Sequence, residues 1–225
     1  MTIVSIGTQC ITSEIIQNNR KRHCSFPFDW IISNLEFVYT IINLLLKNVP
    51  IDIIVKDHFY RIDTYVLCDH RENYFEKTIG TPCNIKYGVI FLHDNESYDE
   101  IIEKYSRRIK RLYDSIMSLE TPLTFLYVTS PHITYSYTID GIDFQKKNSY
   151  YLIEIYKLIK TYRQNFKIIV VDAIHKISEE VVINDSNMDI NIYKITFKDN
   201  SIDSVVSEFW KIFNTEYSTI LDDLY

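Results

Sequence analysis

Two kinds of hydrophobic pattern alternate along this chain. Short apolar runs rich in β-branched residues, as expected of buried strands, cover residues 2–6, 87–92, 123–128, 167–171 and 191–197. Apolar positions that recur every three or four residues indicate helices over residues 10–18, 37–45, 97–119, 147–163 and 201–210. This alternation is typical of a mainly parallel sheet covered by helices. We therefore predict an α/β three-layer sandwich with about five mainly parallel strands and helices on both faces, in a flavodoxin-like or SGNH-hydrolase-like layout.

Local signals mark two helix starts and one irregular region. The capping-box pattern that begins a helix occurs at Ser33 with Glu36 and at Ser97 with Glu100. Residues 51–86 are the least regular part, and we predict them to be an insertion in a single domain that spans residues 1–225. Within the insertion, residues 51–55 are compatible with a strand, and residues 60–67 with an edge strand or a hairpin arm.

Composition narrows the class of protein. With 225 residues, 46% of them hydrophobic, the chain can bury one sizeable core, and its 4 Gly and 5 Pro form no linker-like stretch. The formal net charge of −6 argues against nucleic acid as a partner. No apolar run approaches the roughly 20 residues that span a bilayer, and no signal peptide precedes the first strand. We expect no membrane association and a cytoplasmic protein, in the host cytoplasm if this Ile-, Asn-, Lys- and Tyr-rich chain is viral rather than bacterial.

The cysteines and histidines do not indicate a metal site. The four cysteines, at positions 10, 24, 68 and 83, are expected to be free thiols in a reducing compartment. Cys68, His70 and Cys83, even combined with His23 and Cys24, fit the spacing of no familiar zinc module. The chain has no Walker loop and no Gly-x-Gly-x-x-Gly motif. We predict neither a metal nor a cofactor, and the oligomeric state is left open.

Residues with chemical potential follow the predicted strands. In an open parallel sheet, ligands gather beyond the carboxyl ends of the strands. Candidates at those ends are Gly7, Thr8, Gln9 and Cys10 after the first strand, His93 and Asp94 after the second, Thr129 and Ser130 after the third, and Asp172 after the fourth. Together these residues would bring a thiol, an imidazole and two carboxylates to one edge of the sheet.

A cysteine nucleophile is the most specific interpretation of that set. Cys10 lies where a helix is predicted to begin, and the positive end of a helix dipole favours a thiolate. His93 would act as base and acid, and Asp94 or Asp172 would orient its imidazole. Amides near residues 8–11 would stabilise an oxyanion. The alternative is that Cys10 is a small buried hydrophobic residue and that His93 and Asp94 only cap the neighbouring elements.

The segment Phe26–Trp30 is the densest aromatic cluster in the chain. It is either core packing in which Asp29 stabilises a turn, or one wall of a pocket that holds Asp29 close to the thiol. On the second interpretation the substrate-binding residues are Gly7, Thr8, Gln9, Asp29, Trp30 and Ser130. Asp172 and His175 also have the Asp-x-x-His spacing of serine esterases, although that spacing is common by chance.

Three segments of the chain resemble one known family. The segments are Val4–Cys10, Ser25–Ser33, and Tyr87–Asp94 followed by Tyr105–Arg108. They are similar to the family of putative papain-like cysteine peptidases, which occurs in bacteria and large DNA viruses, over roughly residues 2–130. The resemblance implies a cysteine nucleophile followed in the chain by a histidine, and Cys10 and His93 are the matching positions.

The predicted function is therefore a cysteine-dependent hydrolase, similar to a cysteine peptidase, that acts on an unknown peptide or acyl substrate. Two alternatives stay open at this point. One is a non-enzymatic interaction or effector protein on an enzyme-like α/β fold. The other is an esterase or acyl transferase similar to SGNH hydrolases, for which serine rather than cysteine would be expected at position 10.

Overall fold

The computed structural model describes residues 1–7, 11–18, 24–59, 64–66, 81–84, 89–90, 97–129, 138–139, 142–143, 149–174, 183 and 186–196. The helices in these ranges are α1 Ile11–Asn18, α2 Leu35–Leu46, α3 Ile51–His58, α4 Tyr98–Met117 and α5 Ser149–Lys160. The strands are β1 Thr2–Ser5, β2 Ile32–Ser33, β3 Thr64–Val66, β4 Thr81–Asn84, β5 Val89–Ile90, β6 Leu123–Val128, β7 Thr138–Ile139, β8 Ile142–Asp143, β9 Phe166–Ile174 and β10 Ile190–Thr196. The predicted helix at 201–210 lies outside the described residues.

A four-stranded parallel sheet organises the fold. Its strand order is β1-β6-β9-β10, and all three neighbouring pairs are parallel. Ser5 pairs with Leu126, which in turn pairs with Ile169, so the carboxyl ends of β1 and β6 lie at the same edge of the sheet. All six residues of β6 are buried, as a central strand of such a sheet requires. The predicted α/β character is confirmed.

The strand predicted at residues 87–92 does not belong to the parallel sheet, in the part that the structure describes. Val89 and Ile90 form β5, which pairs antiparallel with both β2 and β4 in a second sheet of order β2-β5-β4-β3. The assignment to the parallel sheet was wrong because a short apolar run indicates burial but carries no information about the partner strand. Val89 is fully buried in the antiparallel arrangement. The expectation that His93 follows a strand of the parallel sheet therefore loses its basis.

Other local predictions have mixed outcomes. Residues 51–55 lie in helix α3 rather than in a strand, whereas residues 64–66 pair antiparallel with β4, as predicted for a hairpin arm. Helix α2 is capped by Asn34, whose Oδ1 accepts from the Phe37 amide at 2.8 Å, and not by Ser33. At the start of α4, the backbone N–H of Ser97 donates to Glu100 at 2.9 Å, so this capping box is confirmed.

The amphipathic pattern of α4 explains how it joins the core. Its predicted inward positions include Tyr105, Ile109 and Leu112, and all three are fully buried. Tyr105 stacks on Phe59, which follows α3, with ring centroids 4.4 Å apart. Burial of each large apolar side chain contributes roughly 1.5–3 kcal/mol, so this stripe fixes α4 against α3.

Arg163 is a buried arginine whose hydrogen bonds connect the end of α4 to the segment before β6. Its side chain is 1% exposed and donates to the carbonyl of Ser115 at 2.6 Å and to that of Thr121 at 2.7 Å. Two of its nitrogens also donate to the carbonyl of Asn165, at 2.7 and 3.1 Å. The last carbonyls of a helix have no partner within the helix. Arg163 satisfies one of them in α4 and also joins the segments that lead into β6 and β9.

We expect Arg163→Met to lower the free energy of unfolding by about 2–4 kcal/mol, because four hydrogen bonds from a buried guanidinium to three partly buried carbonyls are lost at once. Urea denaturation followed by circular dichroism measures the change. The matched control is Arg107→Met, since Arg107 is exposed and should shift stability by less than about 0.5 kcal/mol. Equal effects of the two substitutions would contradict the structural role assigned to Arg163.

Candidate functional site

The carboxyl end of β1 packs unusually closely against the first turn of α1. A Cβ atom on Gly7 would lie 1.8 Å from Thr12 Oγ1 and 2.7 Å from Thr12 Cβ. The amide of Ile6 donates to the carbonyl of Leu126 in β6 at 2.9 Å. Gly7 therefore directly follows a residue that is still bonded to the sheet. Only glycine at position 7 permits the strand and the helix to approach this far.

Buried hydroxyl groups surround this junction. Ser5, Thr12 and Ser13 are all 0% exposed, although they lie at the end of a strand and in the first turn of a helix. Ser13 Oγ donates to Asp29 Oδ1 at 2.9 Å. Neither Ser5 Oγ nor Thr12 Oγ1 has a hydrogen-bond partner in the part of the chain that the structure describes. Buried polar atoms without partners are rare in folded proteins, so their concentration here marks the junction as a candidate site.

Asp29 joins the aromatic segment to α1. Its carboxylate accepts from the amide of Phe26 at 2.6 Å through Oδ2 and from Ser13 through Oδ1. The Asp29 amide donates back to the carbonyl of Phe26 at 3.2 Å, which closes a tight turn. Asp29 is 3% exposed, and Phe26 and Phe28 are buried on either side of the turn. The same carboxylate therefore stabilises its own turn and holds the helix that begins at Ile11.

Backbone strain lies directly beside this carboxylate. Trp30 has a φ of 67°, in the left-handed region that bulky L-residues rarely adopt. Such a conformation costs on the order of 1–3 kcal/mol and persists only where surrounding contacts hold it. Those contacts include two arginines of α4: Arg108 donates to the carbonyl of Asp29 at 3.4 Å, and Arg111 to that of Ser25 at 3.3 Å.

Asp172 forms a separate polar group on the parallel sheet. It was predicted to follow the end of a strand at Val171, but β9 continues to Ile174 and Asp172 is 0% exposed. Thr129 Oγ1 donates to Asp172 Oδ1 at 3.2 Å. Burial raises the pKa of the Tyr127 phenol, and the charge of Asp172 raises it further. Tyr127 therefore stays protonated beside the carboxylate throughout the physiological pH range.

The described part of the candidate site consists of Gly7, Asp29 and Trp30. Gly7 and Asp29 both contact the first turn of α1, through Thr12 and Ser13 respectively. The remaining predicted site residues lie outside the described residues: Thr8, Gln9, Cys10, His93, Asp94 and Ser130.

Sequence reasoning missed four residues that take part in these contacts, Thr12, Ser13, Arg108 and Arg111. One signal was available for the first two. In α1 the buried positions 12, 13 and 16 form one helical face, and two of the three are hydroxyl residues. Polar residues on the inward face of a helix indicate a buried polar contact.

Two negative findings concern the described ranges alone. No group of three or more His, Cys, Asp or Glu residues within them has the geometry to hold a metal ion. No helix within them combines the length and the apolarity needed to cross a bilayer.

The fold and the junction define an α/β protein whose candidate site lies between β1, α1 and the turn before β2. The chain belongs to the family described as putative papain-like cysteine peptidase (DUF1796), whose family model matches residues 1–132. The match confirms the resemblance found in the sequence, and it includes Gly7, Asp29 and α4 but not Asp172. Comparison with curated proteins and with solved structures finds no match to this chain.

We expect Gly7→Ala to destabilise the fold by about 1–3 kcal/mol, since the added methyl group overlaps the Thr12 side chain. Thr12→Ala removes the closest of these atoms but keeps Cβ. The double variant should therefore be more stable than the sum of the two single effects by at least about 0.5 kcal/mol. Chemical denaturation of all four proteins gives this coupling energy, and strict additivity would contradict the proposed contact.

We expect Ser13→Ala to lower the free energy of unfolding by about 1–3 kcal/mol, because a buried carboxylate oxygen of Asp29 loses its donor. A double-mutant cycle with Asp29→Asn isolates the pair and should give a coupling energy above about 0.5 kcal/mol. Thr161→Ala is the control, because that hydroxyl is exposed and bonds only within its own turn. A cycle that shows no coupling would mean that the two side chains do not interact in solution.

Proposed function

We propose that this protein is a cysteine-dependent hydrolase in which Cys10 attacks a carbonyl carbon and His93 acts as base and acid. The observation that carries the proposal is the junction between β1 and α1. Helix α1 begins at Ile11, the residue that follows Cys10 in the sequence, and Gly7 packs against its first turn. A thiol at the start of a helix meets the positive end of the dipole, which favours the thiolate.

The same helix start would supply the oxyanion site. The first four N–H groups of a helix have no acceptor within it. Here they belong to the turn that Thr12 and Ser13 fix from two sides. Amide donors held rigidly at 2.7–3.1 Å from a developing oxyanion typically contribute about 10²–10³-fold in rate. We propose that the amides at the start of α1 have this role.

Strand β5 brings the chain that leads to His93 next to β2. Ile90 pairs with Ile32 in an antiparallel ladder, and the turn that carries Asp29 precedes β2. His93 is three residues beyond Ile90 in the sequence, and three residues span at most about 10 Å. We propose that His93 lies within reach of this turn and of the start of α1.

Asp29 is a third candidate for the carboxylate that would orient His93. The sequence offered Asp94 and Asp172, but Asp172 lies outside the segment that matches the family model. Asp29 is buried and already in contact with α1. A carboxylate has about four acceptor positions and can accept from several donors at once, an imidazole N–H among them. We propose Asp29 as the first choice and Asp94 as the second.

The proposal also includes a three-layer arrangement, a set of substrate-binding residues and a reducing compartment. All six residues of β6 are buried, which requires cover on both faces of the parallel sheet and supports the three-layer arrangement. Thr8, Gln9, Trp30 and Ser130 are proposed to line the substrate site. A reducing compartment such as the cytoplasm suits a free catalytic thiol.

The pH dependence of alkylation at Cys10 tests the proposal. We expect iodoacetamide to label Cys10 with an apparent pKa below the ordinary thiol value of about 8.5, and we expect His93→Ala and Asp29→Asn to raise that pKa. Peptide mapping by mass spectrometry follows Cys10 and Cys24 in the same sample. Cys24 is a half-buried free cysteine and serves as the internal reference. A Cys10 thiol that titrates at or above about 8.5 would sink the proposed mechanism.

A second candidate, a non-enzymatic interaction protein, has one observation in its favour. Tyr150 is 61% exposed and packs edge-on against Tyr151 at 5.2 Å, and Tyr151 lies 5.7 Å from Tyr39 of α2. Exposed aromatic side chains of this kind are frequent in protein interfaces. A Cys10→Ala variant that keeps the full biological effect would favour this candidate over the hydrolase.

A further inference from the structure

Two arginines on one face of α4 lie against the turn that carries Asp29. Arg108 and Arg111 are three positions apart, so their side chains are neighbours on the helix surface. Both are half-buried, and each donates one N–H to a carbonyl of the turn, Arg108 to Asp29 and Arg111 to Ser25. These bonds, at 3.4 and 3.3 Å, are at the long end of the hydrogen-bond range.

A comparison with Arg163 shows that anchoring the turn does not account for both guanidinium groups. Arg163 has a structural role, and its guanidinium nitrogens donate four hydrogen bonds of 2.6–3.1 Å to backbone carbonyls. A guanidinium has five N–H donors. Arg108 and Arg111 each donate one N–H to the turn, and the Arg108 guanidinium also lies over the Tyr105 ring, 5.4 Å from its centroid. The remaining N–H groups of the two residues are the donors that a ligand would engage.

Two other cations of α4 are paired with acids on the same helix. Arg107 lies 2.9 Å from Glu103, and Lys110 lies 2.9 Å from Asp114. In the part of the chain that the structure describes, neither Arg108 nor Arg111 forms an ion pair. Because the protein as a whole carries a net charge of −6, two cations on one helix face that form no ion pair with a described residue are a local exception.

The arginine pair lies next to the candidate site rather than on a remote surface. Arg108 donates to the carbonyl of Asp29, and the carboxylate of the same residue accepts from Ser13 in the first turn of α1. Asp29 thus contacts both the arginine pair and α1, the helix that follows Cys10 in the sequence. The Asp29 carboxylate is 3% exposed and accepts from the Phe26 amide and from Ser13.

We propose that Arg108 and Arg111 bind an anionic oxyacid group of the substrate, so that the protein selects peptides or acyl compounds that carry a carboxylate or a phosphate near the reacting carbonyl. Guanidinium groups match such groups with paired N–H···O bonds. The relation to the reacting carbonyl rests on the proposed function, because it requires Cys10 to be the nucleophile. The anion site itself rests only on the described residues of α4 and the turn.

Equilibrium binding to the Cys10→Ala protein tests the anion site without turnover. Microscale thermophoresis would compare acetyl-Gly-Glu-Gly-amide with the isosteric acetyl-Gly-Gln-Gly-amide. Two further peptides, one with a phosphoserine at the central position and one with a free C-terminal carboxylate, identify the source of the anion. We expect the preferred anionic peptide to bind at least about tenfold more tightly than the neutral one, as a charge-assisted hydrogen bond provides.

Substitutions on α4 connect that preference to the two arginines. Arg108→Gln and Arg111→Gln should each reduce the preference at least about fivefold, whereas Arg107→Gln, the matched control on the same helix, should change it less than about twofold. Thermal unfolding of each variant reports whether the turn is intact. The comparison of charged and neutral peptides uses protein in which both arginines are present. It therefore tests the anion site even if the arginine variants do not fold.

The outcomes separate this inference from the proposed function. Equal binding of all four peptides, or equal effects of Arg107→Gln and Arg108→Gln, overturns the anion site whatever the pKa of Cys10. Selective anion binding together with an ordinary Cys10 pKa supports the anion site and rejects the cysteine mechanism.

Discussion

The buried carboxylate of Asp29 is the interaction on which the candidate site depends. A carboxylate can be removed from water only if it gains hydrogen bonds in return. Here one bond comes from the amide of its own turn and another from Ser13 on α1. The carboxylate thereby joins the first turn of α1 to the turn before β2. Arg108 and Arg111 join the same turn to α4 through the backbone carbonyls of Asp29 and Ser25.

This arrangement explains why the strained backbone of Trp30 is tolerated. A turn held only by its own hydrogen bonds would relax to a more favourable conformation. The turn before β2 is held from one side by Ser13 and from the other by Arg108, and it continues directly into a strand of the second sheet. Its geometry is therefore determined by tertiary contacts and not by local preference. Such rigidity suits a segment that positions chemical groups.

The sequence predicted those features that depend on local periodicity. The buried stripe of α4 and the strands β1, β6, β9 and β10 follow from apolar spacing. Of these strands, β1, β6 and β10 were predicted close to their observed limits, whereas β9 continues three residues beyond its predicted end. Strand β5 was assigned to the wrong sheet, because pairing depends on a partner far away in the chain. For the same reason the aromatic segment was recognised, but the contact between Asp29 and Ser13 was not. Prediction from local sequence also failed for one helix cap, since the N-cap residue of α2 is Asn34 rather than Ser33.

The division of the parallel sheet has a consequence for what can fold independently. Among the described residues of the segment that matches the family model, residues 1–132, β1 and β6 belong to this sheet, while β9 and β10 come later in the chain. β9 pairs with all six residues of β6. Cut at residue 132, the chain would present β6 as a long apolar edge without its partner, which is the kind of surface that leads to intermolecular association. The end of the segment that matches the family model therefore separates two strands that pair with each other, and we expect the excised segment to associate through the exposed edge of β6.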